Sequence, residues 1–294
     1  MESSPLDPPA GKTPARLPPG LYLVSTPIGT ARDITLRALD ILTSADILAA
    51  EDTRTARKLM DIHGVRRDGP AILPYHDHNG AARRPRLLAA LAEGKSVALV
   101  SDAGTPLIAD PGFKIAAEAI AAGHHVVAAP GASALLAALS VAGLPTDRFL
   151  FGGFLPPKEM ARRKALSALA AVPATLVFYE SPRRLAATLA AMSDALGPER
   201  PAAVCRELTK RFEETRRGRL GELAADYAVE DAPKGEIVVV VGPPPETEVA
   251  EADLDAALET ALDGGSVKDA AAEVAARLGL PRRQVYARAL ELAK

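Results

Sequence analysis

The sequence predicts an α/β protein built as two successive α/β domains with a small helical segment at the C-terminal end. Three observations carry that prediction. Short apolar runs alternate with longer amphipathic ones from Leu21 onward; breaks fall at Leu144-Pro145 and at the PPPE run of residues 243 to 246; beyond the second break only alanine-rich helical periodicity remains. The 294 residues suffice for two modest cores, and 48% hydrophobic against 24% charged content is ordinary for a globular chain. No apolar run approaches the ~18 residues of a membrane span, and the N-terminus lacks the basic and apolar regions of a signal peptide. The expectation is a cytoplasmic protein with no membrane partner. Cys205 is the single cysteine, so no internal disulfide forms, and no His/Cys spacing matches a zinc site, so no metal is expected. A net charge of −2 gives no chain-wide attraction for nucleic acid, and any such contact must come from local clusters.

Taken in order, residues 1 to 18 hold five prolines and almost no large apolar side chain, which predicts a disordered tail. A domain over 19 to 145 follows, with strands at LYLVS, ILAAE, AILPY, VALVS and Val126 to Ala129. Its helices are expected over ITLRALDILTSA, TARKLMDI, through Leu87 to Leu91, after Pro111, and from Gly131. Near-continuous apolar strands suit a mostly parallel sheet covered on both faces. The second domain, 146 to 243, is read as RFLFGGF, a basic helix from Lys158, ATLVFY, a helix from Pro182 to Leu196, AAVCREL, ETRRGRL, a helix from Gly221, and EIVVVVG. The close strands near 205 and 217 predict a partly antiparallel sheet. Residues 247 to 294 form the helical segment, in which Val267 to Tyr286 has helix-turn-helix character with Arg282, Arg283 and Arg288 on its second helix.

Ligands of α/β proteins bind beyond the carboxyl ends of strands, so the residues just after each apolar run matter most. The first strand runs into STPIGTARD, where Pro27 and Gly29 shape a turn and Asp33 and Thr35 are placed to cap a helix. After VALVS comes Asp102-Ala103-Gly104-Thr105-Pro106, then Asp110-Pro111-Gly112, a rigid loop that lets backbone approach a ligand. Pro130-Gly131-Ala132-Ser133-Ala134 offers small side chains at a helix start, with an N-cap by Ser133 as the competing reading. In the second domain Tyr179-Glu180-Ser181-Pro182-Arg183-Arg184 repeats the strand-end arrangement, and Glu180 and Arg183 either pair on the surface or meet substrate.

These loops together resemble the tetrapyrrole methylase (class III methyltransferase) superfamily. TPIG with Asp33-Ile34-Thr35, AEDTR at 50 to 54, SDAGTPLIADPG, PGASA, FYESP, CRELTKRFEE and KGEIVVVV are similar, within it, to the branch that methylates small-subunit ribosomal RNA. The resemblance implies two α/β domains of the tetrapyrrole methylase type with S-adenosylmethionine in the interdomain cleft, and a homodimer. It also implies 2′-O-methylation of a cytidine ribose in the decoding region of 16S rRNA, as free RNA or in the assembled small ribosomal subunit. Cofactor contacts carry over to Pro27, Asp102, Ala103, Gly104, Ile108, Ser133, Ala134 and Tyr179, and further to Leu208, Gly235 and Glu236. Thr30-Ala31, Ala109 and Arg183 depart from the pattern, standing for asparagine-leucine, serine and histidine.

A ribose hydroxyl is a weak nucleophile, so a carboxylate acting as base is useful. Glu180 ranks first, Asp33 second, and Glu51 or Asp52 third, each against helix capping or a salt bridge. Candidate RNA contacts are Arg32, Arg54, Arg183, Lys210 and Arg211. Arg32, Arg54, Arg57 and Lys58 form one cluster, Lys158, Arg162, Arg163 and Lys164 another, and residues 206 to 219 the richest at net +3. Tyr75 and the following His76 and His78 suggest a base-stacking surface more than a metal site. Rival readings are a corrinoid-precursor methylase, a helix-turn-helix nucleic-acid-binding protein, and a dinucleotide-binding oxidoreductase, the last lacking its Gly-rich fingerprint.

Overall fold

The computed structural model describes residues 16–67, 69–76, 79–109, 112–245, 251–263, 265–278 and 282–293. Most of the expected tail, together with Asp77-His78, Asp110-Pro111 and the 279–281 turn, therefore lies outside the described residues. The part of the tail that is described is not loose. Leu17 packs on the first core, and the Tyr22 hydroxyl donates to the Pro18 carbonyl at 2.8 Å.

The chain begins with β1 (Gly20–Val24), α1 (Leu36–Ser44), β2 (Ile47–Ala50), α2 (Thr53–Ile62) and β3 (Leu73–Pro74). It continues with α3 (Gly80–Ala92), β4 (Ser96–Val100), α4 (Phe113–Ala121), β5 (Val126–Ala129) and α5 (Ala134–Ala142). All pairings are parallel, in the order β3-β2-β4-β1-β5. The strands are apolar on both faces because helices cover both. Tyr22, Val24, Leu48 and Val100 meet α1 and α2, while Leu21, Ala49, Val97 and Leu99 meet α3 and α4. Thr35 caps α1 by accepting from the Ala38 amide at 3.1 Å. Asp33 takes no part in that cap and lies in a short 3₁₀ turn over Ala31–Asp33.

The next elements are β6 (Phe149–Phe154), α6 (Glu159–Ser167), β7 (Thr175–Glu180), α7 (Leu185–Leu196), β8 (Pro201–Arg206), β9 (Glu214–Arg219), α8 (Leu220–Val229) and β10 (Ile237–Val241). The second sheet runs β6-β7-β10-β8-β9, with only β6 and β7 parallel, as the close 205 and 217 strands predicted. One face packs on α6, α7 and α8 through Leu166, Leu185, Leu189, Met192 and Leu223.

The other face receives α5. Leu135, Ala138, Leu139 and Ala142 pack with Val177, Ala203, Cys205, Val238 and Val240 in one buried cluster. The helix expected from Gly131 starts at Ala134 because Ser133 remains extended, at φ −146° and ψ 122°. Met1–Pro244 is one compact unit and Pro245–Lys294 another.

The second unit contains α9 (Glu251–Leu262), α10 (Val267–Leu278) and α11 (Arg282–Leu292) around Leu254, Leu258, Val274 and Val285. Arg288, expected among the nucleic-acid-facing cations, instead grips Asp255 through two bonds of 2.7 and 2.6 Å and pairs with Glu291. A bidentate pair of that geometry ties α11 to α9. Arg282 and Arg283 are exposed.

Candidate functional site

The parallel register sets Val24 beside both Val100 and Ala129, so the loops leaving β1, β4 and β5 start side by side. They are stitched together. Thr26 and Gly104 exchange backbone bonds of 2.9 and 3.0 Å, Ser101 Oγ donates to the Gly104 carbonyl at 2.5 Å, and Thr105 Oγ1 donates to the Ala132 carbonyl at 3.1 Å. Gly104 has φ +81°, a left-handed conformation that suits glycine, and Leu107 and Ala109 are held at +72° and +60°. Such backbone costs energy unless its surroundings impose it, and it concentrates where ligands are clamped. Gly104 has both backbone groups committed to Thr26, so its part in the loop is to permit close approach, not to donate.

A cavity of about 490 Å³ opens at these loops. The first sheet contributes Asp102, Ala103, Gly104, Ile108, Ser133 and Ala134, and the second contributes Tyr179, Gly235 and Glu236. All nine were read from sequence. Two other expected contacts do not line it: Pro27 is buried within the loop that follows β1, and Leu208 is packed with Ile28 and Val238 in the α5 cluster. Glu51, a third-ranked base, and Thr105 of the Gly/Pro loop also line the cavity, whereas Ile28, Ser181 and Phe154 line it without having been singled out as ligand contacts. A signal existed for Phe154, since the Gly152-Gly153 pair inside a strand pattern marks a bulge or a close approach. Ser133 stands at the N-cap of α5 without a side-chain capping bond, which disposes of the capping reading.

The first-ranked base, Glu180, lines the cavity and is heavily bonded by its surroundings. Glu180 is 3% exposed, and its carboxylate accepts from the Ser181 amide at 2.7 Å, from Ser181 Oγ at 3.3 Å and from Thr188 Oγ1 at 2.7 Å. Arg184, not Arg183, is its ion-pair partner, at 3.3 Å. Those contacts tie the carboxylate into the turn that Ser181 begins. Asp33 is exposed and lies outside the cavity wall. Glu51 and Asp102 are carboxylates of that wall, and Asp102 accepts from the Asp52 amide at 2.9 Å. Asp52 itself caps α2 and is drawn down to about 2 by its hydrogen bonds to Arg54.

The basic clusters separate into committed and uncommitted cations. Arg54 is bound to Asp52, and Lys210 bonds Glu207 at 2.8 Å and Glu236 at 2.9 Å. Burial works against the Lys210 ammonium, but those two carboxylates outweigh it and raise its pKa. Arg162 is buried, and Arg163 pairs with Glu159 and Asp194. Among the described residues Arg32 and Arg183 are exposed without an ion pair, and Arg211 has only a cation–π contact with Phe212. Tyr75 is 3% exposed within the first core, so it offers no surface for a base.

The family model described as tetrapyrrole (corrin/porphyrin) methylases matches residues 20–224, and one described as the RsmI C-terminal HTH domain matches 248–293. The chain is 55% identical to the ribosomal RNA small subunit methyltransferase I of Mesorhizobium japonicum, over 95% of this chain and 94% of that protein. It is 44% identical to the protein of the same name from Pseudomonas aeruginosa, over 92% and 96%. Among solved structures, a diphthine synthase aligns with TM-score 0.59 at 19% identity, covering 76% of this chain and 89% of that one. A cobalt precorrin-4 methyltransferase aligns at 0.56 and 19%, covering 76% and 94%. At those identities the likeness is one of fold.

Proposed function

Because the chain belongs to the tetrapyrrole (corrin/porphyrin) methylase family, and within it to that of the ribosomal RNA small subunit methyltransferases I, we propose that it methylates the 2′-hydroxyl of a cytidine ribose in the decoding region of 16S rRNA. S-adenosylmethionine is the donor in this reading, and the working form is a homodimer. The observation that carries it is the cavity at which the Gly/Pro loops of the first sheet meet the FYESP and KGEI turns of the second.

The donor fits the residues present. The cavity lies within the ~300–1,000 Å³ range of small-molecule sites, and Ala103, Gly104, Ala134 and Gly235 leave its walls free of bulk. A Cβ added at Gly104 would come to 3.3 Å from Ile28 Cγ2. The nine expected lining residues would hold the donor, with the extended Ser133 presenting the start of α5 to its polar end. When bound, the donor supplies an electrophilic methyl group on a sulfonium. What the chain supplies is alignment: rigid loops place the ribose oxygen in line, and positioning of this kind accounts for much of the barrier lowering in a displacement. Glu51 lines the same wall as Glu180 and is the carboxylate we assign to receive the hydroxyl proton, ahead of the heavily bonded Glu180.

Mapping ribose methylation on 16S rRNA from cells with and without the gene tests the proposal. One decoding-region cytidine loses its methyl group when the gene is absent; an unchanged map overturns the reading. The RNA path is tested separately. Arg183→Ala combined with Arg211→Ala removes two uncommitted cations, so the slope of log affinity against log salt falls by about 1.4 to 1.8. Lys210→Ala changes it less, because that ammonium is spent on Glu207 and Glu236. Titration with labelled rRNA at several salt concentrations measures both slopes, and equal slopes for wild type and double variant would remove these arginines from the interface.

A further inference from the structure

β6 arrives at the cavity with the wrong parity for a regular strand. In an unbroken strand residues 151 and 153 share one face and 154 the other. Here Phe151 pairs with Val177, Gly153 with Phe178 and Phe154 with Tyr179, so β6 spends one extra residue between the first two. Gly153 adopts φ +62°, and a Cβ on Gly152 would overlap the Phe178 ring. The bulge reverses the alternation beyond it. Phe154 is thereby turned to the side of Phe151, and both rings meet Tyr179 edge-on, with centroids 5.6 and 4.8 Å away.

Phe154 remains 57% exposed while lining the cavity beside Ser181 and Pro182. The segment behind it is clamped. Arg184 donates to the carbonyls of Leu155 at 2.7 Å and Pro156 at 3.4 Å, and Glu180 holds Arg184 in turn. A large aromatic ring thus lines the donor cavity next to a clamped segment, with much of its surface uncovered.

We propose that Phe154 is the stacking surface for the target nucleobase of the RNA. The inference rests on the RNA reading of this site and names the residue that receives the base. A ribose inside folded rRNA reaches the cavity only if its base leaves its neighbours, and an exposed ring restores the stacking so lost. The Glu180–Arg184 pair is a positioning device for that ring.

The test compares Phe154→Ala, Phe154→Leu and Phe154→Trp. Calorimetry gives S-adenosylmethionine affinity, and methyl transfer is followed on unmethylated 16S rRNA and on small subunits assembled from it. Loss of one base–aromatic stack lowers kcat/KM by about 5- to 150-fold in the Ala and Leu variants, mainly through KM. Trp retains activity near that of wild type, and donor affinity and Tm hold in all three. Wild-type kinetics in Phe154→Leu would show that apolar bulk suffices and overturn the proposal. So would donor affinity falling in step with transfer, since the ring would then belong to the donor's pocket. If the wild-type protein methylates neither RNA, the functional reading itself fails, an outcome distinct from both.

Discussion

Gly104→Val lowers S-adenosylmethionine affinity by about two orders of magnitude, which corresponds to about 2.7 kcal/mol. Two costs combine. The residue sits at φ +81°, where an L-residue pays roughly 1–2 kcal/mol and a β-branched one fits worst. Its Cβ would lie 3.3 Å from Ile28 Cγ2 and 3.7 Å from the Ala132 carbonyl, so the two methyl groups beyond it press on a wall that the donor needs. The Thr26–Gly104 bridge lies outside the strands of both sheets, and far-ultraviolet circular dichroism therefore stays as in the wild type. Calorimetry in chelator measures the loss, with one site per chain in the unaltered protein. Retained affinity in Gly104→Val would place the donor elsewhere.

The second large effect is on stability. Glu180→Ala deprives Ser181, Thr188 and Arg184 of a shared acceptor in a site that is almost wholly buried. Breaking a buried ion pair from one side costs about 3–5 kcal/mol. The lower end applies here because the Arg184 side chain keeps 29% exposure. About 3 kcal/mol lowers Tm by roughly 6–12 °C in a unit of this size. Glu180→Gln keeps the shape and the Thr188 contact, so it loses less. Assayed well below its transition, the Gln variant stays within a few-fold of wild-type turnover, whereas loss of a general base costs about 10²–10⁴-fold. A drop of that size in folded Glu180→Gln would reinstate Glu180 as the base.

What was legible in the sequence was whatever depends on local pattern. The β4 and β5 strands and the glycine-bearing loops follow from periodicity and turn chemistry, and nine loop residues read as ligand contacts share one cavity. What was missed depends on long-range packing. Nothing in FYESPRR distinguishes Arg183 from Arg184 as the partner of Glu180, because the choice is made by the Leu155 and Pro156 carbonyls, 29 and 28 residues away. Lys210 reads as a surface cation until the KGEI turn brings Glu236 to it. Tyr75 looks like a recognition aromatic in isolation, yet it closes the core beside Leu87. Phe154 illustrates the converse. Counted as one more strand residue, it acquires its exposure only through a bulge that changes which face it occupies.

The placement of α5 bears on how the molecule comes apart. By sequence it finishes the first half, but its apolar side, Leu135, Ala138, Leu139 and Ala142, is buried on the second sheet. A polypeptide ending near residue 145 would leave that side in water, at roughly 1.5–3 kcal/mol for each leucine, and a fragment beginning there would bare Val177, Val238 and Val240. Neither half is a self-sufficient folding unit. Thermal denaturation of residues up to 244 therefore proceeds as one cooperative event, with both sheets lost together.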